Sequence, residues 1–144
     1  MIVTTAMLFV ATPAFATPRF ASARFSDLAV RGYDTTAYFE HGEARQGVRA
    51  NEVEWKGATW RFASAAEADI FRANPDAYAP QFGGYCTRAM SLERITLGDP
   101  EVWRIRGDKL YLFARPVGGQ KFDDDPDTMI ALAQAHWDTL DLTE

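Results

Sequence analysis

The sequence predicts an α+β protein: a small antiparallel sheet with helices packed against it, in a single domain. Three observations lead there. Two pairs of short alternating segments are joined by tight glycine turns. A capped helical segment lies between them. An apolar stripe at helical spacing closes the chain.

The elements follow in order. Met1 to Ala16 carries no charge and ends in Ala14-Phe15-Ala16, an A-x-A pattern, so it is expected to be a cleaved export signal that leaves Thr17 as the first residue. Its apolar run is short and interrupted by Pro13, so it does not span a bilayer, and no transmembrane anchor is expected after cleavage. Residues 17–27 read as a flexible lead-in and 28–144 as the domain. Asp34 is placed to cap a short helix over Thr35 to Glu40, ended by His41-Gly42. Glu52-Val53-Glu54-Trp55-Lys56 alternates polar and apolar. Gly57-Ala58 then turns the chain into a second strand, Thr59 to Phe62, with Trp60 and Phe62 on one face. Ser64 and Glu67 form an S-x-x-E capping box for a helix that Pro75 stops.

Gly83-Gly84 marks a turn needing unusual backbone angles, and a short helix is expected from Tyr85 to Ser91. Val102 to Arg106 and Lys109 to Phe113 read as strands joined by Gly107-Asp108. Asp123-Asp124-Asp125 precedes Pro126, which suits a first helical turn, and Met129, Ala133, Trp137 and Leu140 supply the apolar stripe. The acidic run with Asp127 could attract Ca²⁺, but it lacks the spaced ligands and glycine of an EF-hand loop. Capping accounts for it better.

Composition narrows the function. The chain has 144 residues and a net charge of -5, which disfavours a nucleic-acid surface. Its single cysteine, Cys86, rules out an intrachain disulfide and a Cys₄ zinc site. No Walker loop, G-x-S-x-G elbow, H-E-x-x-H or C-x-x-C motif occurs.

The order of landmarks resembles a YHS-domain protein of the small exported bacterial subgroup. The matching segments are Gly32-Tyr33-Asp34 with Ala37-Tyr38-Phe39, Trp55 to Ser64, and Phe71, Asn74-Pro75 and Tyr78. They continue with Pro80 to Cys86, Gly98-Asp99-Pro100, Trp103 and Gly107 to Leu112. The resemblance covers about Leu28 to Leu140. It implies an α+β fold, a periplasmic or secreted location and a link to heavy-metal binding. The family's metal donors largely do not carry over, because their positions hold Ala37, Tyr38, Phe39, Ala63 and Glu67; alanine offers no ligand, and a lone Glu67 is a hard oxygen donor.

The remaining chemistry centres on Cys86. If Tyr85 to Ser91 is helical, Cys86 and Met90 lie at i and i+4, a thiol and a thioether on one face. That is a soft half-site for which copper is the natural metal, with His41, His136 or Met129 as a third donor. Two alternatives stand beside a non-enzymatic metal-binding module. One is a protein- or small-ligand-interaction module in which Cys86 is structural and Tyr33, Tyr38, Trp60, Phe82 and Tyr85 line an aromatic pocket. The other is a thiol enzyme or redox sensor, which needs a thiol of lowered pKa.

Overall fold

The computed structural model describes residues 16–22 and 26–143, so the expected export signal lies outside the described residues except for Ala16. The elements in chain order are β1 (Thr17–Pro18), α1 (Ala37–Glu40), β2 (Val48–Trp55), β3 (Ala58–Phe62), α2 (Ala65–Ala73) and α3 (Pro75–Tyr78). They continue as α4 (Thr87–Ser91), β4 (Asp99–Arg106), β5 (Lys109–Phe113), α5 (Pro116–Asp124), α6 (Pro126–Trp137) and β6 (Leu142–Thr143). This is an α+β fold. Among the described residues the strands form three two-stranded sheets: antiparallel β2–β3 and β4–β5, and parallel β1–β6.

Both hairpins turn in the way their strand twist favours. Gly107 and Asp108 have φ of 56° and 57°, and Lys56 and Gly57 have φ of 47° and 75°. Two successive positive φ values suit the turn whose twist matches its flanking strands. The first turn therefore sits one residue earlier than Gly57-Ala58. Ala58 opens β3 and pairs with Trp55.

Strand β5 divides the interior. Leu110 and Leu112 face one apolar cluster with Val53, Trp60, Phe62 and Phe71. Tyr111 and Phe113 face a second cluster with Phe82, Tyr85, Cys86, Met90, Phe122 and Ala133. These four side chains are buried, and only Lys109, the first residue of β5, is exposed. Successive side chains on a strand point to opposite faces, so the apolar run Leu110 to Phe113 must be covered on both.

Capping explains where the helices begin. Ser64 Oγ accepts from the Glu67 N–H at 3.3 Å to start α2, and Asp125 Oδ1 accepts from the Thr128 N–H at 3.2 Å to start α6. Pro75 ends α2 and also opens the one-turn helix α3, since proline needs no N–H partner at a first position. Met129, Trp137 and Leu140 pack around buried Ala133, as the stripe predicts.

Two regions differ from the sequence expectation. Helix α5 is not among the elements the sequence predicts, and its Gly118-Gly119 pair has low helix propensity. In the structure a Cβ on Gly118 would stand 3.2 Å from the Phe113 ring, so the glycine lets α5 lie close against β5. The lead-in, expected to be flexible, contributes to both cores along its described part. Phe20 packs edge-on to Trp60 with centroids 4.9 Å apart, and Ala21 is buried in the second cluster. The Ala21 N–H donates to the Gly83 carbonyl at 2.8 Å. A Cβ on Gly83 would lie 1.8 Å from the Arg19 carbonyl oxygen, so the Gly-Gly turn is where the lead-in crosses the domain.

Candidate functional site

Helix α4 sets the position of Cys86. The residue is the N-cap, with φ −60° and ψ 115°, and its Sγ accepts from the Ala89 N–H at 3.4 Å. Its own N–H donates to the Thr96 carbonyl at 2.8 Å, and it forms a parallel bridge to Leu112 of β5. The thiol thus replaces the usual oxygen at a helix start. Cys86 is 5% exposed and Met90 is fully buried one turn later, both in the second apolar cluster.

Cys86 forms part of the floor of a surface cleft of about 400 Å³ between α4 and the start of α5. Ala89, Leu92 and Val117 supply apolar wall, and Arg88, Arg94 and Arg115 line the same cleft. No carboxylate lines it. Among the described residues these three arginines make no ion pair. Elsewhere Arg45, Arg61, Arg72, Arg104 and Arg106 each hold a carboxylate. Nothing in the sequence marks Arg94 and Arg115 as neighbours of the thiol. Arg115 is 29 positions from Cys86, and only the packing of α4 and α5 against β5 brings them together.

Of the other candidate donors, Met129 packs against the cluster that holds Cys86 and Met90, whereas the two histidines make contacts of their own. His41 Nε2 is 2.9 Å from Glu67 Oε1, which also accepts from Arg45 Nη1 at 3.3 Å. His136 is on α6, where its carbonyl accepts from the Thr139 hydroxyl at 2.6 Å. Among the described residues no three His, Cys, Asp or Glu side chains stand together as a metal-binding group. The aromatic residues proposed to share a pocket are divided. Tyr38 and Trp60 are buried in the first cluster, and Phe82 and Tyr85 in the second. Tyr33 is half-buried, and its hydroxyl donates to Glu101 Oε1 at 2.9 Å. The acidic run is engaged as well. Asp123 holds Arg104 through two 2.8 Å bonds, Asp124 faces Lys121, Asp127 faces Arg106, and Asp125 caps α6.

The His41–Glu67 contact belongs to a second charged group that the sequence did not reveal as one. Asp34 is fully buried. Its Oδ1 accepts from the Thr36 N–H at 2.9 Å and the Thr36 hydroxyl at 2.7 Å, and its Oδ2 accepts from the Ala63 N–H at 2.9 Å. Asp34 therefore ties the α1 entry to the end of β3 rather than only capping a helix, and α1 begins at Ala37, two residues later than expected. Burial pushes the Asp34 pKa above its ordinary value, the Ala63 and Thr36 hydrogen bonds oppose this, and the Glu67 charge raises it further. Burial also acts to raise Glu67. Its hydrogen bonds to His41 and Ser64, with the Arg45 charge, outweigh that and hold it below the ordinary value.

Comparison with known protein families, curated proteins and solved structures returns no match, so the YHS resemblance rests on the residues that carry it.

Proposed function

We propose that this chain is an exported, non-enzymatic YHS-type module that binds a small ligand in the cleft over Cys86, with Cys86 itself structural. The observation that supports this best is the placement of the thiol. It is almost fully buried, its sulfur is engaged as the α4 cap, and it lies beneath a concave surface of the size that takes small ligands. A thermal-shift screen of small molecules tests the reading, with Ala89→Phe as a variant that fills the cleft. Ligands are expected to raise the Tm of the wild type and leave Ala89→Phe unchanged. Ligands that stabilise both proteins equally would place binding elsewhere and sink the proposal.

A second reading keeps metal binding. Cys86 and Met90 share one buried cluster one helical turn apart, which supports a soft pair for copper. It predicts competition with a Cu(I) chelator that is lost in Cys86→Ala. Wild-type protein that fails to compete removes this reading.

A further inference from the structure

We propose that the ligand of the Cys86 cleft is a small organic anion, its carboxylate or phosphate held by Arg88, Arg94 and Arg115 and its apolar body resting on Leu92 and Val117. This rests on the reading of the cleft as the ligand site and names the chemistry that the site selects.

The arginines are the first reason. A chain of net charge -5 has carboxylates to spare. Among the described residues Arg31 and Arg49, outside the cleft, hold none, while Arg45, Arg61, Arg72, Arg104 and Arg106 each hold one. The arginines along β4 do so, Arg104 with Asp123 and Arg106 with Asp127. The three at the cleft do not, and they line one concave surface. Three like charges gathered without a counter-charge repel one another. An anion between them would relieve that repulsion, and the planar fork of each guanidinium matches the paired oxygens of a carboxylate or phosphate.

The second reason is the start of α5, which borders the cleft through Arg115, Val117 and Gly118. The N-cap is Arg115, whose side chain gives no acceptor to the first-turn N–H groups. A nine-residue helix that starts without a side-chain cap presents positive potential on the side where the arginines lie.

The third reason sets the rest of the ligand. Leu92 is 53% exposed and Val117 44%, two large apolar side chains at the same cleft. A bare inorganic ion would leave them wet, whereas an anion with an aromatic or aliphatic body would cover them. A larger depression of about 500 Å³ beside Trp103 lacks this combination, because its arginine, Arg104, is already held by Asp123. Asp124 and Asp125 lie with Arg88 around a neighbouring depression, but the first faces Lys121 and the second caps α6.

Phenyl phosphate, benzoate and neutral benzyl alcohol, titrated into isotope-labelled protein and followed by NMR, test the proposal. Both anions are expected to shift the amides of Ala89, Leu92 and Val117, with affinity that falls as salt is raised. Benzyl alcohol is expected to bind there about tenfold more weakly, or less. The double variant Arg88→Gln/Arg115→Gln should weaken phenyl phosphate by a further factor of about ten while keeping a folded spectrum. Equal binding of benzyl alcohol and phenyl phosphate at these amides would overturn the anionic class and leave the cleft reading standing. Anion binding untouched by the double variant would also overturn it. If no probe shifts these amides, the cleft reading falls with it.

Discussion

Two groups of charge in this molecule are handled in opposite ways. Around Asp34 and Glu67 every described charge has a partner: Glu67 takes His41 and Arg45, and Asp34 takes two backbone N–H groups and a hydroxyl. Around Cys86 three arginines share a cleft with no carboxylate. The first group is closed. Its hydrogen bonds join α1, β3 and α2, and the burial of Asp34 and Glu67 makes the bonds to these carboxylates costly to lose. The second is open toward solvent and has capacity left for something from outside. Internally satisfied charge points to structure, and gathered unsatisfied charge points to recognition.

The largest test of that contrast is Asp34→Ala. It leaves the buried Thr36 N–H and the half-buried Ala63 N–H without an acceptor and should cost roughly 3 kcal/mol in urea denaturation. A loss below about 0.5 kcal/mol would show that the closed group contributes little to stability. Cys86→Ser comes next. It puts a hydroxyl into the second apolar cluster and should cost about 1–3 kcal/mol, with ligand binding in the cleft retained. In the same experiment, alkylation of Cys86 in the folded protein should be much slower than in urea, because the sulfur is buried. Fast labelling of the native state would favour a reactive thiol instead.

Smaller effects appear with pH. Glu67 sits below its ordinary pKa in the folded state, so it contributes stability that is present above that ordinary value of 4.5 and is lost as pH falls through the folded value. Asp34 is raised, so it acts in the opposite sense: its stabilising effect is full below its ordinary value of 3.8 and declines as pH rises toward the folded value. Glu67→Gln should therefore flatten the acid side of the stability–pH curve, and an unchanged curve would remove Glu67 from the account. The smallest expected effect is on the open group. Arg94→Gln should change stability by less than about 0.5 kcal/mol, since it has no ion-pair partner to lose among the described residues. A clear destabilisation would mean that the cleft arginines are structural after all.

Much of the fold is legible from local rules. Ser64 and Glu67 mark the start of α2, Gly107-Asp108 marks a hairpin, and the Met129-Ala133-Trp137 spacing marks the inward face of α6, with Leu140 packing just past its end. Each is decided by neighbours within about four residues, so a single sequence shows it. The misses have a common cause. Gly118-Gly119 looks like a break unless Phe113 is known to lie against it, and Phe20 looks like part of a loose lead-in unless Trp60 is known to be beside it. Both depend on contacts distant along the chain or between elements. The site was half legible. Cys86 could be singled out as the only cysteine, whereas Arg94 and Arg115 carry no mark in the sequence that distinguishes them from the paired arginines.

By itself the sequence determined the α+β class, both hairpins, the capped helices and the absence of any disulfide, because periodicity, caps, turn glycines and cysteine number are local or countable. Tertiary structure decided what each charge and donor faces. It placed His41 against Glu67, divided the aromatic residues between two cores on either side of β5, and brought Arg88, Arg94 and Arg115 around the buried thiol. Such pairing depends on distance in space, which residue type and spacing do not encode.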